Sequence, residues 1–135
     1  MITAVDTNVL LDVLGADPTF GPRSADALRR CLQEGSLVAC DVVWTELRCF
    51  VPDAETIHTH LETLGVGYQA VSLDGAMAAG QAWQAYRRKG GKRERVAADF
   101  LIGAHAATQC ERLLTRDRGF YRTYFQGLTV LDPSR

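Results

Sequence analysis

Short apolar runs alternate along this chain with longer stretches whose apolar side chains recur every three or four positions. The first pattern marks buried strands and the second marks amphipathic helices. Residues 2–5 form an apolar run ending in Asp6-Thr7-Asn8, and Val9, Leu10, Leu11, Val13 and Leu14 follow as far as Gly15. This predicts a strand, a tight turn and a helix. Gly15, Pro18, Gly21 and Pro22 mark a loop, and a second helix lies between Pro22 and Gly35. Its apolar line is Ala25, Leu28, Cys31 and Leu32, with Arg29, Arg30, Gln33 and Glu34 turned away. Residues 37–40 read as a second strand, after which Asp41 is placed to cap a helix through about Phe50. Pro52 breaks that helix, and Asp53 starts another carrying Ile57, Leu61 and Leu64 on one side. Residues 68–73 predict a third strand, and Asp74 caps a long helix lined by Ala79, Ala82, Trp83 and Tyr86. Beyond Gly90-Gly91, residues 96–110 form an almost wholly apolar helix. A fourth strand at 113–115, an aromatic helix or turn at 120–125 and a last strand at 128–131 complete the pattern.

Alternating strands and helices with few hairpin signals predict an α/β fold, with a mostly parallel sheet flanked by helices. A chain of 135 residues supports a single domain, 1–135. No apolar run approaches the ~20 residues that span a bilayer. The first residues lack the cationic start of a signal peptide, so the expectation is a cytoplasmic protein without membrane attachment. Cys31, Cys40, Cys49 and Cys110 contain no C-x-x-C pair and read as reduced thiols. His58 and His60 point to nearly opposite sides of a helix, and His105 stands alone, so none suggests a metal ligand.

Charge adds an asymmetry that the net of −1 conceals: residues 1–86 carry 4 basic and 11 acidic side chains, residues 87–135 carry 11 and 5. Six of the basic residues fall within 87–95, a segment able to grip a polyanion or simply to solubilise a surface loop.

The informative acids stand where apolar neighbours are the rule. Asp6 directly follows the first strand, an ordinary position for a helix N-cap. Glu46 shares the side of its helix with Val43, Leu47 and Phe50, where an ionised carboxylate needs a cation or donors. Asp99 is the sole acid in residues 96–107, and Gly103 and Ala106 on its face leave room for something to approach. Asp117 follows the fourth strand and could be a simple turn residue before Gly119. Each has a structural explanation singly, yet all four can converge at one end of one sheet, where ligands of such folds bind. Converging carboxylates require positive charge, and an all-oxygen set suits Mg²⁺ or Mn²⁺. Beside a phosphate-gripping segment, such a centre points to metal-assisted hydrolysis of a nucleic acid by water.

These residues also carry a resemblance. Residues 2–11, Trp44-Thr45-Glu46-Leu47, residues 98–106 and Leu114-Thr115-Arg116-Asp117-Arg118-Gly119-Phe120 resemble, in order and spacing, the four acidic motifs of PIN-domain ribonucleases. The similarity is strongest to the VapC-like toxins of bacterial toxin–antitoxin pairs. It implies a three-layer α/β/α fold in which Asp6, Glu46, Asp99 and Asp117 bind one or two Mg²⁺ or Mn²⁺ ions. Asn8 and Thr115 would assist as ligands or by orienting water. It further implies endonucleolytic RNA hydrolysis, a homodimer, and a cognate antitoxin whose C-terminal segment crosses the acidic groove, with an arginine suited to the carboxylates. Arg87, Arg88, Lys92, Arg93 and Arg95 are candidate RNA contacts by charge alone. Asp12 matches no motif and reads as a helix-surface acid. Two rival readings stay open. A haloacid-dehalogenase-like phosphatase has a similar opening, but Asn8 stands where its general acid belongs. The other is a catalytically silent RNA-binding or receiver-like regulator.

Overall fold

A computed structural model describes residues 1–91 and 97–135. Five strands, β1 (Ile2–Val5), β2 (Ser36–Cys40), β3 (Val66–Gln69), β4 (Arg112–Leu114) and β5 (Thr129–Leu131), form one sheet ordered β3-β2-β1-β4-β5, every pair parallel. Helices α1 (Thr7–Leu14) and α2 (Gly21–Glu34) link β1 to β2, and α3 (Asp41–Phe50) and α4 (Ala54–Leu64) link β2 to β3. Helices α5 (Leu73–Arg88) and α6 (Ala97–Gln109) carry the chain from β3 back across the sheet to β4, and α7 (Arg118–Tyr124) leads to β5. Crossovers that run first one way from β1 and then the other place helices on both faces, giving three layers. Among the described residues no helix is long and apolar enough to cross a membrane.

The predicted order of elements holds, with local departures. Strand β3 begins at Val66, two positions before its expected start, and has ended by Ser72. Ser72, rather than Asp74, caps α5, its hydroxyl accepting from the Gly75 N–H at 3.0 Å. Asp41 does not cap α3 either. It is that helix's first residue, and its carboxylate accepts from the Val71 N–H at 3.1 Å, tying the β3–α5 connection to α3. On α2 the inward line is Ser24, Ala27, Leu28 and Cys31, leaving Leu32 exposed. Phe50 is 68% exposed, so the buried stripe of α3 stops at Leu47. Asp53 caps α4 as expected, accepting from the Thr56 N–H at 2.7 Å.

The sheet reverses direction between β1 and β4, and register fixes what meets there. Val5 pairs with Leu114, so the chain leaves both strands side by side, and the Asp6 N–H donates to the Leu114 carbonyl at 3.0 Å. Asp6 and Thr115 are thereby neighbours although 109 positions separate them.

Candidate active site at the carboxyl ends of β1 and β4

Asp6 directly follows β1, caps α1 and is 5% exposed. Its Oδ1 accepts from the Thr7 N–H at 2.7 Å, and its Oδ2 accepts from the Thr115 hydroxyl at 2.7 Å. Despite these donors and that of Tyr121, burial, with a smaller contribution from the charge of Glu46, pushes the Asp6 carboxyl up to about 6. Glu46 reaches the same place from α3, half-buried, and accepts from the Thr7 hydroxyl at 2.6 Å. Thr7 therefore bridges the two acids, its N–H to one and its Oγ1 to the other.

Tyr121 identifies the remaining members. Its ring is buried in α7, its hydroxyl donates to Asp6, and burial followed by the charges of Asp6, Asp99 and Asp117 drives its ionisation far above the usual phenol range. It is a neutral donor at any working pH, and the charges of three of the four acids act on it. Asp99 and Asp117 are both half-buried. The Asp117 N–H donates to Thr115 Oγ1 at 3.0 Å, so one threonine hydroxyl links Asp6 to the Asp117 backbone. Asn8 completes the rim. Its Nδ2 donates to Thr115 Oγ1 at 3.3 Å and its Oδ1 accepts from the Arg116 N–H at 3.1 Å.

Aromatic packing holds the turn that carries Asp99. Phe100, fully buried, stacks on Trp83 at 6.2 Å between centroids and meets Tyr86 at 5.5 Å and Phe120 edge-on at 5.2 Å. Helices α5, α6 and α7 are thus joined one residue from the carboxylate. The small residue at 103 serves this packing rather than ligand access: a Cβ there would stand 2.4 Å from the Phe125 ring. His105 is a buried, satisfied imidazole, its Nε2 at 2.8 Å from Gln69 Oε1. All four cysteines are free.

Asp12 is not a surface acid. It is 4% exposed and takes both the Nε and Nη2 of Arg116, at 2.8 and 2.9 Å. Thr7, Arg116 and Tyr121 are the participants that sequence reasoning passed over. Tyr121 stands four residues after Asp117, one helical turn, and that spacing was the available signal.

Of the basic segment, Arg87 and Arg88 lie exposed at the end of α5 and line a groove of about 510 Å³ with Gly80, Trp83 and Gln84. Trp83 is the residue stacked on Phe100, so this groove runs beside the Asp99 turn. Lys92, Arg93 and Arg95 lie outside the described residues.

The groups able to hold a metal at this rim offer only oxygen: four carboxylates, the Thr115 hydroxyl and the Asn8 amide. That set fits Mg²⁺ or Mn²⁺ and not zinc. Among the described residues no three His, Cys, Asp or Glu side chains stand close enough to cage an ion unaided. Mg²⁺ commonly takes only one or two carboxylates and keeps several waters, which suits an open rim.

Residues 3–126 match the model of the PIN domain. No curated protein sequence matches significantly. Among solved structures the chain is similar to VapBC2 from Rickettsia felis bound to a promoter DNA fragment, with TM-score 0.79 and 18% identity over 98% of each chain. It is also similar to VapBC-1 from nontypeable Haemophilus influenzae, with TM-score 0.75 and 17% identity over the whole of both chains. VapC20 of Mycobacterium tuberculosis, a Sarcin-Ricin loop cleaving toxin, aligns at TM-score 0.59 and 17% identity over 94% of this chain and 98% of its own. At these identities the likeness is one of fold, whereas the domain match covers nearly the whole chain. The chain belongs to the PIN-domain family.

Proposed function

We propose that this protein is a metal-dependent endoribonuclease, the toxin of a toxin–antitoxin pair. The observation that carries the reading is Asp6: a buried carboxylate that accepts from Thr7, Thr115 and Tyr121, with the charges of Asp99 and Asp117 also acting on Tyr121. Carboxylates so placed are relieved by a cation. Asp6, Glu46, Asp99 and Asp117 would hold one or two Mg²⁺ or Mn²⁺ ions, with Thr115 and Asn8 orienting the acids and their waters. A cation held by these residues would make water nucleophilic and would offset charge on the scissile phosphodiester. The chain's own part is positional. Thr7 holds Asp6 and Glu46 in register, and Thr115 ties Asp6 to the segment bearing Asp117. Tyr121, locked neutral, donates a hydrogen bond to Asp6 and keeps its proton, so it adds no negative charge to the site.

Arg87 and Arg88 would draw the RNA backbone alongside the Asp99 turn, and Lys92, Arg93 and Arg95 continue the same basic segment in sequence. Neutralising Arg87 and Arg88 should weaken RNA binding and reduce the slope of log affinity against log salt by about one unit or more. An unchanged slope would remove them from the interface. A cognate antitoxin and a homodimer complete the proposal, in the cytoplasm. A toxin–antitoxin complex from Klebsiella pneumoniae shares the fold at TM-score 0.65 and 18% identity, and exposed Phe50, Leu73 and Met77 offer apolar surface for a partner to cover.

The deciding experiment is Asp99→Asn. It should abolish Mg²⁺-dependent cleavage of RNA while leaving the circular dichroism spectrum unchanged. Undiminished cutting would remove Asp99 from the site. RNA binding without cleavage by the wild type would favour the silent regulator, and robust turnover of an aryl phosphate would favour the phosphatase.

A further inference from the structure

Asp12 and Arg116 lie 104 positions apart in the chain, and neither belongs to the four-acid set. The Asp12 carboxylate is buried on α1 and takes the guanidinium edge-on through two bonds, Nε at 2.8 Å and Nη2 at 2.9 Å. A third donor, the Ser24 hydroxyl of α2, reaches Oδ2 at 2.9 Å. The guanidinium carbon lies 4.1 Å from the centre of the Phe20 ring, in cation–π contact. Both partners are therefore fixed from several sides, and the planar fork of arginine makes the geometry specific.

What makes this more than a structural ion pair is where Arg116 sits. It separates Thr115 from Asp117, and its own N–H donates to Asn8 Oδ1 at 3.1 Å. Asn8 and Asp12 are one turn apart on α1, so they share a face. The first holds the backbone of residue 116 and the second holds its side chain. This two-point clamp bolts the segment after β4 onto the helix that Asp6 caps. With three donors on its two oxygens, one of them a guanidinium, Asp12 already has its counter-charge, although it lies only six residues from Asp6.

We propose that the Asp12–Arg116 pair is a positioning element that sets where Asp117 stands relative to Asp6, and so governs metal affinity without touching metal or RNA. The proposal rests on the nuclease reading above for its link to cleavage. Its test is a substitution cycle of Asp12→Asn, Arg116→Lys and the double variant. Two readouts are taken: RNA cleavage rate against Mn²⁺ concentration, and Mn²⁺ affinity by calorimetry without RNA. Each single variant should raise the Mn²⁺ needed for half-maximal cleavage about tenfold, in the range seen when residues supporting metal ligands are removed. The double variant should be no worse than the poorer single one, because both act through one pair. Ser24→Ala, which also loses a buried contact to Asp12 but leaves the clamp, should leave the Mn²⁺ requirement unchanged. Should Asp12→Asn fail to fold, Arg116→Lys keeps the charge, loses the fork and carries the test. An unaltered Mn²⁺ requirement in Arg116→Lys, effects that multiply in the double variant, or an equal shift in Ser24→Ala would each overturn the proposal. A wild type that binds Mn²⁺ but cuts no RNA would overturn the nuclease reading instead, and the calorimetric arm would still decide the clamp.

Discussion

Asp6→Asn is expected to lose cleavage and gain stability in the same molecule. Asparagine is a poor ligand for a hard cation, and removing a central carboxylate should slow metal-dependent hydrolysis roughly a thousandfold, about 4 kcal/mol of transition-state stabilisation. The metal-free fold responds in the opposite direction. Asp6 ionises near 6 in the folded chain and near 3.8 when exposed, so above pH 6 the folded state carries an anion that burial disfavours. An amide of the same shape removes that cost, and at pH 7.5 the variant should be more stable by about 1–3 kcal/mol. Chemical denaturation in the presence of a chelator measures it. A less stable variant would mean that the bonds from Thr7, Thr115 and Tyr121 outweigh the cost of burying the charge.

The second expected result is a metal-dependent rise in melting temperature that fades with acid. Between pH 3.8 and 6 the folded state binds more protons at Asp6 than the unfolded chain does, so the Asp6 contribution to stability falls as pH rises and is fully lost above 6. A cation favours the ionised form and reverses this. At pH 7.5 and a hundredfold excess of Mn²⁺ over its dissociation constant, linkage predicts about 3 kcal/mol of stabilisation, a shift of several degrees. Near pH 5 protons compete for Asp6 and the shift should shrink. His105 contributes with the opposite sign, because burial lowers its pKa below 6.5 and acid then favours the unfolded chain. Comparing wild type with Asp6→Asn at each pH cancels that contribution. An equal Mn²⁺ shift in both proteins, or one independent of pH, would mean the ion binds elsewhere.

Much of this arrangement could be read along the chain because its signals are local. Asp99 stood out as a lone acid in an apolar helix, and Asp6 and Asp117 announced themselves by following strands. The parallel sheet followed from apolar runs without hairpin turns. What stayed hidden depends on partners brought together by register. Asp12 looks like a surface acid because Arg116, its neutralising partner, lies 104 positions away. Gly103 looked like room for a ligand until Phe125 folded into it. Phe50 and Leu32 follow the helical period correctly, but the period says nothing of where the neighbouring layer ends, and both emerge at the surface. The cap of α3 moved for a similar reason: Asp41 accepts from Val71 on a distant connection.

The most direct measurement is anomalous scattering from a crystal of the protein soaked in Mn²⁺. The account predicts a peak at the carboxyl ends of β1 and β4, with oxygens of Asp6 and at least one of Glu46, Asp99 and Asp117 about 2.1–2.3 Å away, the spacing of hard-cation ligation. No peak at saturating Mn²⁺, or one bound only by acids outside this rim, would contradict it.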